Sequence, residues 1–179
     1  KNKSISPYFT EYIRRELEKI DSELQVNLYK DGLVINTTLD SRVQRVLNKH
    51  FDEGLKKNQS IFNKELIEND IKLNYIANKN SISIDSLISF INQDSIIPPQ
   101  FRNQLLVQGA AVVIDPLSGS ILGMIGGRQE DVYLDHFNRS SQAKRQPGSI
   151  FKPLIYLTAL EQGSKTTTQL LNQPLAIFI

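Results

Sequence analysis

The 179-residue sequence predicts a mixed α/β (α+β) chain, and three observations carry that reading. Apolar residues recur at helical spacing in two stretches near the start. Two short apolar runs flank the turn-forming string Pro116-Leu117-Ser118-Gly119. An almost wholly apolar helix opens near Ser149, directly behind Arg145-Gln146-Pro147-Gly148.

Taken in order, Ser6 or Pro7 can start a helix whose Tyr8, Tyr12, Ile13, Leu17 and Ile20 share a face. Gln25–Tyr29 and Leu33–Thr37 read as strands joined at Lys30-Asp31-Gly32, where glycine supplies positive φ to a hairpin turn. Asp40 or Ser41 then caps a second helix, with Val43, Val46, Leu47, His50, Phe51 and Leu55 as its buried stripe. Lys56 to Gln104 is the least legible stretch: it is rich in Asn, Ser, Ile and Lys and offers two short helices, Ile61–Tyr75 and Asp85–Ile91. Pro98-Pro99 marks a boundary, because proline is excluded from a helix interior.

Beyond Gly109, Ala110–Asp115 and Ser120–Ile125 are strand candidates. Both are apolar without alternation, which predicts central strands covered on both faces. Gly126-Gly127 closes the second, and a polar loop from Arg128 to Gln146 leads to the last helix. Ile150, Phe151, Leu154, Tyr156, Leu157 and Leu160 make that helix apolar over most of its circumference, so it is expected between layers in a domain centre.

Composition narrows the function. An apolar fraction of 40% suits a globular chain. A formal charge of +2 gives no argument for a nucleic-acid partner or a membrane surface. Without cysteine, thiol catalysis and disulfides are excluded. No apolar run reaches the roughly 18 residues that span a bilayer, and no signal peptide opens at Lys1, so any anchor is expected outside this sequence.

Ser149 and Lys152 are the candidate catalytic residues. Three positions apart on a helix, a hydroxyl and an amine share a face, and the amine can reach the hydroxyl. Backbone N–H groups are unpaired in the first helical turn, so developing negative charge on Ser149 would be stabilised there. An amine drawn out of water by an apolar helix favours its uncharged, proton-accepting form, the one a general base needs. The bland rival is a serine N-cap with a lysine reaching to solvent. The spacing alone is weak, since Ser141-Gln142-Ala143-Lys144 has it too, in a polar loop with no apolar helix behind it.

The longer string is more specific. Arg145 to Pro153 resembles the Arg-Gln-Pro-Gly-Ser-x-Phe-Lys-Pro block of the class A, bifunctional penicillin-binding proteins. Phe137-Asn138-Arg139 with Gln142-Ala143 resembles the segment preceding that block. Ala111 to Gly119 and on to Gly126-Gly127 resembles the opening β-hairpin of the transpeptidase domain. Pro7-Tyr8-Phe9, Arg14-Arg15-Glu16-Leu17, Gly32-Leu33 and Thr37-Thr38-Leu39-Asp40 look like the link between that family's two catalytic domains. The resemblance covers most of the chain apart from about Lys56–Gln104.

It implies a penicillin-binding transpeptidase or serine β-lactamase-like domain, present in its N-terminal part only (107–179), after a mixed helix–hairpin linker region (1–106). It further implies peptidoglycan cross-linking by D,D-transpeptidation. Ser149 would be the nucleophile that forms an acyl-enzyme on stem peptides, Lys152 the general base, and the Ser149 N–H one oxyanion donor. β-Lactams would acylate the same oxygen. Neither cofactor nor metal is implied, and the site would face outward from the bacterial cytoplasmic membrane, which is met only through a segment missing here.

The sequence also departs from the pattern: it contains no Ser-x-Asn, and Lys165-Thr166-Thr167 lacks the glycine of the Lys-Thr-Gly strand. A fragment inactive alone is therefore expected, from a parent that would also carry a glycosyltransferase domain. The rivals are a serine β-lactamase-like hydrolase and a non-catalytic cell-wall scaffold module. Among lesser candidates, His50 is expected in the core, and Asp131, Asp135 and His136 are expected in solvated loop rather than around a metal.

Overall fold

Pro7 sits where a helix tolerates proline, in the first turn, and α1 runs from Pro7 to Leu24 in a computed structural model that describes residues 4–24, 26–92, 97–128 and 137–169. Of the predicted face Tyr8 is buried, Tyr12, Ile13 and Leu17 are half-buried, and Ile20 is exposed, while Ser6 and Phe9, outside that face, are buried. Two units divide the chain, Lys1–Ala143 and Lys144–Ile179.

In the first unit the hairpin expected between Gln25 and Thr37 is not found among the described residues. Gln25 lies outside the described residues, and Asn27–Asp31 instead close a turn: Lys30 N and Asp31 N both donate to Asn27 O, and Asp31 Oδ2 accepts from Asn27 N at 2.6 Å. These turn bonds, with the Asp31 side chain on Asn27 N, replace the rungs a ladder would need. Tyr29 is drawn to α1, where its hydroxyl donates to Glu18 at 2.5 Å and accepts from Arg14 at 3.2 Å. Leu33–Thr37 forms no strand among the described residues, with Val34 87% exposed.

Arg14 also pairs with Glu11 at 2.7 Å, and Arg15 does so at 2.8 Å. Hydrogen bonds from Arg14, opposed by partial burial and helped by Arg15, pull the Glu11 carboxyl from an ordinary 4.5 down to about 2. A depressed carboxylate contributes fully above its unfolded value and loses that contribution as pH falls toward the folded one. Thermal stability should therefore drop between pH 4.5 and 2, and Glu11→Gln should flatten that part of a melting-temperature profile.

The second helix, α2, runs from Ser41 to Ile67, with Asp40 as its N-cap. Asp40 accepts from Arg42 N at 2.7 Å, and the Arg42 side chain foremost, then these backbone bonds, hold its carboxyl below the usual carboxylate range. Its buried positions, Gln44, Leu55, Gln59 and Leu66, correct the expected stripe. Val46 is 58% exposed, and His50 is exposed beside Glu53, with Nδ1 3.1 Å from Oε2. The inward face turns on two glutamines. Gln44 Oε1 accepts from Met124 N at 2.8 Å, and Nε2 donates to Met124 O at 3.2 Å. Gln59 does the same work further along, accepting from Val107 N at 2.8 Å and donating to Leu105 O at 2.8 Å. A buried amide bonded on both ends behaves as backbone rather than as exposed polar surface.

The stretch from Lys56 to Gln104 holds the main apolar core. The expected helix Ile61–Tyr75 is broken at Asn69, which caps α3 (Asp70–Lys79) by accepting from Lys72 N. α4 follows at Ile84–Asn92, then a 3-10 turn at Pro99–Phe101 and α5 at Arg102–Leu105. Leu66, Leu73, Leu87, Ile91, Phe101 and Leu105 meet in one cluster. Leu87 is fully buried there, so Leu87→Ala should cost about 2–5 kcal/mol, read from the shift in a urea midpoint.

β1 (Ala111–Ile114) and β2 (Ile121–Ile125) pair antiparallel, Ala111 opposite Ile125, with a bulge after Val113. Gly119 at φ +72° makes the tight return, its N–H donating to Asp115 O at 2.8 Å. The expectation of strands covered on both faces holds for β2 at Gly123–Ile125 and not for β1, where Val112 and Ile114 are exposed. The margin of β2 away from β1 is filled: Thr38 Oγ1 donates to Ile121 O at 2.7 Å, Asp40 N to Leu122 O at 3.0 Å, and Ser6 Oγ to Met124 O at 3.2 Å, beside the Gln44 amide.

Candidate active site

β2 delivers the chain to Gly126-Gly127, where there is no room for side chains. A Cβ on Gly126 would stand 2.2 Å from Asn138 Oδ1 and 2.6 Å from Tyr8 Cδ1; on Gly127 it would stand 2.7 Å from the Tyr8 hydroxyl. That hydroxyl donates to Arg128 O at 2.8 Å. Arg128 reaches on to Val107 O at 3.0 Å and to Gln59 Oε1 at 2.7 Å.

Asn138 is buried and caps α6 (Arg139–Gln142), its Oδ1 accepting from Ser140 N at 3.1 Å and from Ser140 Oγ at 2.6 Å. Gln142 returns the bond, accepting from Asn138 N at 2.7 Å. Arg139 N donates to Gly126 O at 2.8 Å, which ties this turn to the end of β2. Sequence reasoning missed the role of Asn138, although an asparagine with a glutamine four positions on is a readable capping signal. Ser141 of the second Ser-x-x-Lys copy lies in α6 and Lys144 beyond it, outside any helix.

In the second unit, Gly148 takes φ +53°, and Gly148–Phe151 form a 3-10 turn that runs straight into α7 (Lys152–Glu161). Pro153 explains the tight turn. It has no N–H to give the Ser149 carbonyl, and Lys152 N donates to that oxygen instead, one residue earlier than an α-helix requires. In 3-10 geometry positions three apart eclipse, so Lys152 follows Ser149 along the same side of the turn. The N-cap of the turn is Pro147, and no side-chain capping bond is made there, by Ser149 or otherwise.

The expected burial of this helix is not found among the described residues. Ser149 and Lys152 are exposed, and so are Ile150 at 82%, Leu154, Tyr156 and Leu157. Among the described residues none covers this apolar surface, and Lys152, expected to be drawn out of water, is exposed. Asp131, Asp135 and His136 lie outside the described residues. Among those described, no group of side chains could hold a metal ion, and no helix is long and apolar enough to cross a membrane.

A β-hairpin followed in the sequence by a Ser-x-x-Lys turn on an apolar helix is the pattern on which the resemblance rests. In the comparison with known proteins, residues 109–177 match the family model of the penicillin binding protein transpeptidase domain. Penicillin-binding protein 2D of Bacillus subtilis is 28% identical over 171 residues, covering 93% of the chain and 18% of that protein. Penicillin-binding protein 1A of Neisseria lactamica is 40% identical over 72 residues, and that of Neisseria flavescens 42%, each covering 40% of the chain and 9% of the relative. The chain thus spans less than a fifth of the length of these relatives. No solved structure matches it.

Proposed function

We propose that this chain is the beginning of a D,D-transpeptidase that cross-links peptidoglycan through a serine acyl-enzyme. The observation that carries the reading is the 3-10 turn that sets Lys152 one turn beyond Ser149, inside the segment that matches the transpeptidase family. Ser149 Oγ attacks the carbonyl between two terminal D-alanines of a stem peptide, and its proton passes to the Lys152 amine. The proton then goes to the departing D-alanine. An amine from a neighbouring strand takes the acyl group and restores the serine. The Ser149 N–H supplies one donor for the oxyanion. β-Lactams open on the same oxygen.

The exposed apolar helix supports a fragment that is inactive alone. Cover over α7, supplied by further transpeptidase residues, would take the amine out of water and favour its proton-accepting form. By this reading residues 1–106 are the linker, 107–179 the first part of the domain, and the parent also carries a glycosyltransferase, working on the outer face of the cytoplasmic membrane.

Fluorescent penicillin tests it on the intact protein. A stable adduct, mapped by mass spectrometry to the peptide containing Ser149, is the expected result. A label that turns over rapidly would point to a β-lactamase-like hydrolase, and no label at all to a scaffold.

A further inference from the structure

We infer that Pro153 is a positioning residue: by withholding an N–H from the Ser149 carbonyl, it holds Ser149–Lys152 in 3-10 register and keeps the Lys152 amine on the side of the Ser149 hydroxyl. The turn is bonded three residues apart twice over, from Ile150 N to Pro147 O at 3.2 Å and from Lys152 N to Ser149 O. Phe151 has ψ −18°, near the 3-10 value, and Lys152 has ψ −42°, the α value. The change of register therefore falls immediately before the proline. Gly148, left-handed at φ +53°, sets the entry to the turn, and Pro153 sets its exit.

A proline in the first turn of a helix is ordinarily a starter, because the N–H it lacks would have no partner there. Here a partner stands four residues back, and it is the carbonyl of the serine itself. Any other residue at 153 could donate to Ser149 O at the spacing of an α-helix. The turn would then relax toward 3.6 residues, and Lys152 would swing about 60° round the axis from Ser149. At a helix radius of about 2.3 Å that moves its Cα sideways by about 2 Å. The flexible lysine stem recovers part of this, but an error of about 1 Å at reacting groups can slow a reaction by about 100-fold. The catalytic part of this inference rests on the serine reading above; the register part does not.

Pro153→Ala in the intact protein tests both parts. Hydrogen exchange should find the new amide at 153 protected about tenfold or more, as it bonds Ser149 O. The first-order acylation step with fluorescent penicillin should slow by about 10- to 100-fold, while the affinity of the preceding non-covalent complex stays within about twofold. In a Lys152→Met background the same change should alter acylation by less than about twofold, because its effect passes through the amine. An unprotected amide at 153, or an acylation step at the wild-type rate, would overturn the inference. Equal slowing in both backgrounds would reduce Pro153 to ordinary packing. A protected amide in a protein whose wild type takes no label at Ser149 would leave the register standing and overturn the serine reading instead.

Discussion

Ser149→Ala in the intact protein is expected to lose penicillin labelling completely, and Lys152→Met to slow it by about 10²- to 10⁴-fold, the range in which a positioned acid–base group contributes. The two substitutions report different things. Alanine at 149 removes the oxygen proposed to hold the acyl group, so residual label would mean another nucleophile. Methionine at 152 keeps the length and apolar stem of lysine and removes the amine, so a loss of rate reports the amine rather than packing. Stopped-flow or time-resolved gel labelling reads both. A Lys152→Met protein that acylates at the wild-type rate would take the lysine out of the mechanism and leave the serine in it.

Gly126→Ala should be the most damaging single methyl group in the first unit. The added carbon would meet Asn138 Oδ1 at 2.2 Å and Tyr8 Cδ1 at 2.6 Å. Neither neighbour has freedom to retreat: Asn138 is bonded at both ends of its amide, and Tyr8 is buried with its hydroxyl fixed on Arg128 O. Overpacking of this kind costs about 3 kcal/mol or more when nothing can move. Gly54→Ala is the matched contrast. It lies within α2 with nothing inside 4 Å of the new carbon, so it should stabilise by about 0.4–1 kcal/mol. Urea midpoints of the two variants should move in opposite directions.

What the sequence disclosed divides along physical lines. Elements fixed by local chemistry were legible: the cap at Asp40, the glycine return at Gly119, the strands on either side of it, and the turn into the Ser149 helix. The inward face of α2 was not, because Gln44 and Gln59 look polar in a sequence and act as backbone partners only once Met124, Leu105 and Val107 are beside them. His50 was drawn into the expected stripe by that same misreading of the register. The hairpin near Gly32 failed for a related reason: alternating apolar residues suggest a ladder, but the bonds of Asn27 and Asp31 close a turn first. In the second unit the Ser149–Lys152 spacing came from the sequence; in the first, the clasp of Asn138, Gly126 and Tyr8 joins residues from its opposite ends, which no local pattern connects.

The filled margin of β2 gives this small sheet a direction of growth. With Ser6, Thr38, Asp40 and Gln44 holding the carbonyls and N–H of Ile121–Met124 on that side, a newcomer strand finds nothing there to bond. Recruitment is left to the opposite flank, alongside Ala111–Ile114, whose outward Val112 and Ile114 offer a greasy seat. Among the described residues, growth of this sheet is therefore one-sided: an added strand would pair beyond β1 rather than along the plugged side of β2.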